Sequence, residues 1–467
     1  MRLASRFSPG RMVVATFAIT ILIGSALLML PVARTGADAW PLEAGLDQAH
    51  SIPATVGPQL SGGAPLSVAL FTATSACSVT GLIVVDTSSY WTGFGQVVLL
   101  ILMQIGGLGT MTIAALVAMA LARRLGLRQR ALTAASAGEL NLGDVRDVVV
   151  RITVIALTCE ITAAVILALR LAWRGEQWAT AIGHGIFFAI SAFNNAGFSP
   201  LANSLMPYAT DGWIILPISA LIIIGGLGFP VLVELRRRWR MPQRWSLNTR
   251  LVLLGTVMLT IIGWVVMAIA EWTNEATIGQ FSTGGKLLAS FFSALSPRTA
   301  GFNSVDIAAQ HDVTWLTTDL LMFVGGGPAG TAGGIKITTA LCIFYIVLTE
   351  VRGERAVNIL GKRLDRNVHR QALTVVSLSA AAVLSGTVIL MSVSVFGLDR
   401  SLYEAISAFS TVGLSTGITA RLPLSAQFML IIFMFVGRIG PLTVATALAL
   451  KRGHRRYEYP KERPLIG

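Results

Sequence analysis

Eight runs of largely apolar residues divide the chain, at 12–32, 93–122, 148–172, 211–234, 251–271, 315–350, 373–395 and 426–450. A helix that crosses a bilayer needs about 20 such residues. Hydrocarbon satisfies no backbone polar group, so a chain placed in it must form helices or a closed barrel. Continuous runs of this length select helices. The composition agrees: 54% of the 467 residues are hydrophobic and only 13% are charged, against about 25% charged in a soluble domain. A soluble enzyme and a disordered chain are both excluded. The first run follows Arg2, Arg6 and Arg11, but its apolar stretch is longer than a signal-peptide core, so it reads as an uncleaved span. The run 315–350 is too long for one span and has a glycine-rich break inside it.

The formal net charge is +13, and 27 of the 36 Lys and Arg residues fall in alternate connections: the N-terminus, 123–151, 236–250, 352–370 and 451–463. The positive-inside rule assigns those segments, and with them both termini, to the cytoplasm. Their strict alternation with apolar runs also excludes nucleic acid as the reason for the basic excess. The opposite connections carry thirteen acids, Asp86, Asp211, Glu271, Asp319 and Glu404 among them, against six bases. They are expected to form an acidic outer surface that concentrates cations. Cys77, Cys159 and Cys342 lie far apart in the sequence, a pattern of apolar packing rather than of a disulfide framework or zinc site. The five histidines form no metal or nucleophile–base pattern, so no enzyme activity is expected.

Each outer connection holds a second apolar stretch too short to span, and the four end alike. They read Ser75-Ala76-Cys77-Ser78-Val79-Thr80-Gly81-Leu82, Ser191-Ala192-Phe193-Asn194-Asn195-Ala196-Gly197-Phe198, Ser293-Ala294-Leu295-Ser296-Pro297-Arg298-Thr299-Ala300-Gly301-Phe302 and Ser407-Ala408-Phe409-Ser410-Thr411-Val412-Gly413-Leu414. A second glycine cluster follows each, at Gly106-Gly107, Gly225-Gly226, Gly325-Gly326 and Gly437. Such periodicity means copies of one unit: span, re-entrant half-helix with loop, span. Repeat 1 covers 1–122, repeat 2 covers 123–240, repeat 3 covers 241–355 and repeat 4 covers 356–450, with a tail at 451–467. Irregular backbone at membrane depth is tolerated only where buried or lining a watery cavity. Four such loops around one axis can replace a cation's hydration shell with carbonyl oxygens, while the half-helices aim their negative C-terminal ends at the centre. The expected fold is therefore an all-α polytopic membrane protein, its four repeats in pseudo-fourfold arrangement around one pore.

On these residues, together with Val85-Asp86-Thr87, the chain resembles the Ktr/Trk/HKT superfamily of potassium transporters, most closely the bacterial KtrB-type membrane subunit. The resemblance implies potassium uptake across the bacterial cytoplasmic membrane. It implies potassium at a filter of backbone carbonyls formed by Val79, Thr80, Gly81, Asn195, Ala196, Gly197, Thr299, Ala300, Gly301, Thr411, Val412 and Gly413. Glycine rather than serine at position 81 implies a potassium-preferring filter. A homodimer in membrane lipid is implied, docked on a cytoplasmic ring of nucleotide-binding RCK-type regulators. No other cofactor is expected, with sodium a candidate activator. A Trk-type, sodium-preferring or sodium-coupled transporter is the alternative. A secondary carrier would show inverted repeats, whereas here every repeat starts and returns inside.

The break in the sixth run, Gly325-Gly326-Gly327-Pro328-Ala329-Gly330-Thr331-Ala332-Gly333-Gly334-Ile335-Lys336, costs a helix about 1 kcal/mol per glycine and near 3 for proline. Its match to a dinucleotide fingerprint is a decoy, because no strand precedes it. The resemblance implies a gate here, of Gly325, Gly326, Gly327, Gly330, Gly333, Gly334 and Lys336, with Arg438 in the equivalent place of repeat 4. An arginine within a span costs at least about 2.5 kcal/mol on insertion scales, so facing a cavity it would act as a barrier to cations. Glu160, near the middle of the third run, is open between pairing with a cation and making a structural polar contact.

Overall fold

The computed structural model describes residues 9–35, 62–124, 145–354 and 356–440. Arg2 and Arg6, most of the basic connection that opens repeat 2, the end of the eighth run and the tail 451–467 lie outside the described residues. The described chain is helical apart from turns and one two-residue hairpin.

Under the repeat bounds expected from the sequence, repeat 1 contributes α1 (Pro9–Leu28), the half-helix α2 (Leu66–Cys77), a single turn α3 (Thr87–Tyr90) and α4 (Gly93–Arg124). Repeat 2 contributes α5 (Val145–Trp173), the half-helix α6 (Trp178–Phe193), α7 (Gly212–Leu227) and α8 (Phe229–Arg238). Repeat 3 contributes α9 (Leu247–Glu271), the half-helix α10 (Thr283–Leu295), α11 (Asp312–Phe323) and α12 (Ile337–Val351). The hairpin β1 (Asn358–Ile359) and β2 (Lys362–Arg363) leads into α13 (Arg366–Val393), the half-helix α14 (Leu398–Phe409) and α15 (Leu424–Ile439) of repeat 4.

By length and composition α5, α9 and α13 can each cross a membrane, and the bent pair α7–α8 can do so as one broken span. Ile161, Leu169, Ile269, Leu320, Leu384 and Val388 stand exposed on outward faces, which suits lipid and not water. The helix starts follow local chemistry. Ser246 caps α9 by accepting from the Thr249 amide, and Asp365 caps α13 by accepting from that of Asn367, each satisfying an amide that has no partner within the helix.

Two runs break. The sixth separates into α11 and α12 around the glycine-rich segment, as its length required. The fourth, expected as one span over 211–234, bends by 102° between α7 and α8 at Gly228, whose φ is +91°. Pro230 follows and cannot continue the hydrogen-bond ladder from α7.

The half-helices of repeats 1, 2 and 4 pack on both flanking spans of their own repeat, and that of repeat 3 packs on α9. Contacts between repeats then pass from α4 to α5 and α6, from α7 to α10, from α11 to α14, and from α15 back to α2. The core sits on this circuit. Phe71, Phe188, Phe193, Phe292 and Phe409 are fully buried on the half-helices, and Phe198 and Phe302 beside them.

Candidate functional site

The four half-helices end at Cys77, Phe193, Leu295 and Phe409, and each runs into a triplet with the same backbone. Val79, Asn195, Thr299 and Thr411 have φ of +56°, +56°, +72° and +51°, and Gly81, Gly197, Gly301 and Gly413 have +93°, +70°, +75° and +95°. A left-handed residue reverses the alternation of a strand, so successive carbonyls can share one side. Four non-glycine residues in that region are costly, and their recurrence at one position marks a constraint imposed by the surroundings.

The glycines meet each other. A Cβ added to Gly81 would stand 3.1 Å or closer to the carbonyl oxygen of Ala196, one on Gly197 to that of Ala300, one on Gly301 to that of Val412, and one on Gly413 to that of Thr80. Each glycine therefore faces the carbonyl just before the next repeat's glycine, and the fourth closes on the first. A side chain has no room at any of the four.

A serine braces each triplet. The amides of Thr80, Ala196 and Val412 donate to the carbonyls of Ser75, Ser191 and Ser407 at 2.8, 2.8 and 2.9 Å. The Oγ atoms of Ser75 and Ser407 accept from the Gly81 and Gly413 amides at 3.1 Å, and that of Ser191 donates to the Phe198 carbonyl at 2.7 Å. In repeat 3 the motif read from Ser293 does not hold. Ser296 takes the bracing role, its carbonyl accepting from the Ala300 amide at 2.9 Å and its Oγ donating to the Phe302 carbonyl. The half-helix there ends at Leu295, so the bracing serine sits five residues before its glycine instead of six.

The segment between α11 and α12 lies against the helix side of these triplets. It closes on itself through the Gly325 amide to the Ile335 carbonyl at 2.9 Å. It is then tied to repeat 2 by Gly327 N to Gly226 O at 2.8 Å, Thr331 N to Gly225 O at 3.2 Å and Thr331 Oγ1 to Phe193 O at 3.3 Å. Gly333 and Gly334 press on Ser410 and Thr411 of repeat 4 so closely that a Cβ on either would crowd them. Lys336 Nζ donates to the Ala332 carbonyl at 2.6 Å. Arg438, buried on α15, donates to the Thr331 carbonyl and, at 3.0 Å, to the Gly106 carbonyl of α4. All eight residues expected at a gate thus lie in this segment or, for Arg438, bonded to it. Arg298 is elsewhere, buried behind the third triplet, where it donates to the Thr256 carbonyl and to Thr260 Oγ1 at 3.1 and 3.2 Å.

Glu160 makes a polar contact. Its carboxylate accepts from Gln104 Nε2 at 3.0 and 3.1 Å, and Asn194, beside the second triplet, donates to Gln104 Oε1 at 2.7 Å. Glu160 on α5 thereby links α4 of repeat 1 to the loop of repeat 2.

On the far side of the triplets a cavity of ≈ 240 Å³ opens, lined by all four glycines and by Asp86 and Asp306. The acids expected there as surface charge divide. Glu275, Asp306, Asp312 and Asp399 are exposed, but Asp86, Asp211, Glu271, Asp319 and Glu404 are buried. Each of these five except Asp319 accepts bonds that brace loops, as Asp211 does from Arg170 and Arg174, both at 2.9 Å. Sequence position alone could not separate a brace from a surface charge. On the same side of the triplets Tyr208 donates to Glu176 at 2.9 Å, and burial, then the Glu176 carboxylate, push its phenol up to about 12. The three cysteines are free thiols, and among the described residues no group of three or more His, Cys, Asp or Glu is placed to hold a metal ion.

Comparison with known proteins gives one picture. Residues 12–457 match the family described as TrkH, cation transport protein. The Ktr system potassium uptake protein B of Bacillus subtilis (strain 168) is 38% identical over 97% of this chain and 96% of its own length. The potassium/sodium uptake protein NtpJ of Enterococcus hirae is 33% identical over 100% and 99%. The crystal structure of the potassium transporter TrkH from Vibrio parahaemolyticus superposes with a TM-score of 0.72 over 96% of this chain and 86% of that one. At 17% identity that likeness concerns the fold.

Proposed function

The chain belongs to the TrkH family of cation transport proteins, and from that premise we propose that it carries potassium into the cell as the ion-conducting membrane subunit of a Ktr-type system. The four repeats surround one pore in pseudo-fourfold fashion. Val79 to Gly81, Asn195 to Gly197, Thr299 to Gly301 and Thr411 to Gly413 form its filter. The observation that carries this reading is the closed circuit of glycines, each set against the next repeat's carbonyl. Carbonyl dipoles at such closeness substitute for water around a desolvated monovalent cation, and the negative ends of the four half-helices add to the attraction.

The segment 325–336, held by Arg438, acts as the gate beneath the filter. Its hydrogen bonds to repeat 2 and to Arg438 of repeat 4 support that role, since displacing it requires breaking contacts from two sides. The protein works as a homodimer in the cytoplasmic membrane, both termini inside, under a cytoplasmic RCK-type ring. The ridge of Arg236, Arg237 and Arg238 at the end of α8 is a docking face for that ring. Sodium is the second reading, because one relative is named a potassium/sodium uptake protein.

The test is complementation of a potassium-uptake-deficient bacterium at limiting potassium, with and without a regulatory subunit. Growth and rubidium uptake are expected. The protein present in the membrane with no rescue in either setting overturns the proposal.

A further inference from the structure

At the junction of repeats 3 and 4, three buried hydroxyls have no hydrogen-bond partner among the described residues. Ser304 Oγ belongs to the stretch after the third triplet, Thr318 Oγ1 to α11 and Tyr403 OH to the half-helix α14. They are 2%, 2% and 0% exposed. All three line one small cavity, with Ser296, Asn303 and Gln310, whose interior admits the centre of a water molecule over ≈ 20 Å³.

A buried hydroxyl without a partner costs about 1–3 kcal/mol, and such groups in a native structure signal a missing partner. A polar cavity holds a water once about 10–15 Å³ is open to the centre of one, given two to four polar neighbours. Size and lining both meet that condition. We infer that the cavity is a binding site for a single water molecule, bonded to Ser304, Thr318 and Tyr403. Hydroxyls suit water because each can donate or accept as the water requires. The bound water would join three elements: the exit of the third loop, the outer half of the broken span, and the fourth half-helix. A monovalent cation is the alternative occupant to separate, since Asp319, whose Oδ1 also lacks a partner, follows Thr318 on α11.

Two measurements test this on the full-length protein. Cryo-electron microscopy in potassium buffer, at a resolution that shows ordered water, is expected to give a peak at hydrogen-bond distance, about 2.6–3.2 Å, from at least two of the three oxygens. Crystals grown in thallium salts are expected to give no anomalous peak there. A dry cavity, or a thallium peak inside it, overturns the inference. The second measurement is a double-mutant cycle on melting temperature with Thr318→Val and Tyr403→Phe. Two hydroxyls that share one water are coupled, so the double variant is expected to lose less than the two single losses combined. Strictly additive losses count against the shared molecule.

Discussion

In repeat 1, α4 runs unbroken through Gly106 and Gly109, whereas in repeat 3 the matching stretch from Gly325 to Lys336 leaves the helix altogether. The other two repeats fall between. Gly225 and Gly437 occupy the place of Gly106, and three residues further on Gly228 and Gly440 end their helices with φ of +91° and +93°. The first glycine does one job in repeats 1, 2 and 4. A Cβ on Gly106, Gly225 or Gly437 would collide with the carbonyl of Cys77, Phe193 or Phe409, the last residue of the half-helix in the same repeat. Gly325 instead faces Gly333, within its own segment. The difference teaches that the glycines first let a span approach the half-helix end, and that breaking the span is a further step taken three residues later.

The largest effect expected is therefore at the shared contact. Gly437→Ala drives a Cβ into the backbone of Phe409, which cannot rotate away as a side chain would. It is expected to leave little monodisperse protein after extraction, read by size-exclusion chromatography of the membrane fraction. Normal yield and an unchanged melting temperature would break the equivalence of the three packing glycines. Next comes the filter. In Gly413→Ala the left-handed backbone and the Thr80 carbonyl both oppose the methyl group, but the site is a loop rather than a helix contact. The protein is expected to reach the membrane with rubidium uptake lowered by more than tenfold. Uptake within twofold of the parent would remove Gly413 from the proposed filter.

Much of this was legible beforehand. The four loop motifs and the break in the sixth run follow from spacing and glycine content, because those features repeat or violate helix propensity strongly. Three things were not. Val79, Asn195, Thr299 and Thr411 adopt left-handed backbone although their side chains do not favour it, since the packing around them dictates it. Ser296 replaces Ser293 because the half-helix length, not the motif's spelling, decides which serine reaches the loop. The bend at Gly228 was hidden in an apolar run of ordinary length. Its available signal was the match between Gly225 with Gly228 and Gly437 with Gly440, each pair followed closely by proline, Pro230 and Pro441.

Arg438 occupies the place of Gly107, Gly226 and Gly326 in the other repeats, one residue after the packing glycine, and only here does that place hold a side chain. The arginine reaches across to both members of the opening comparison, the Thr331 carbonyl of the broken segment and the Gly106 carbonyl of the intact α4. A hydrogen bond from a charged group contributes about 1.5–3 kcal/mol, and 1.4 kcal/mol corresponds to a tenfold shift in an equilibrium. Arg438→Ala is expected to raise rubidium uptake or weaken its control by about tenfold, measured as initial rates at equal membrane abundance with and without the regulatory subunit. Unchanged rates in both conditions would mean that the arginine does not hold the segment.

The smallest effect sharpens the comparison most finely, because it asks why one glycine of the breaking position still sits in a helix. Gly109 is helical, and a Cβ there meets nothing within 4 Å. Gly109→Ala gains helix propensity, about 1 kcal/mol at most, and is expected to leave uptake unchanged and raise the melting temperature slightly. Gly228→Ala meets a left-handed backbone, costing about 1–2 kcal/mol, and the carbonyl of Pro328 in the broken segment of repeat 3. It is expected to lower the melting temperature and alter uptake, since the Phe229 amide beside it donates to the Ala329 carbonyl at 3.1 Å. Opposite signs at two glycines of one repeat position mean that the bend in repeat 2 exists to seat the broken segment of repeat 3. If Gly109→Ala also destabilises, the intact helix of repeat 1 needs that glycine for a contact of its own, and the two positions are not equivalent.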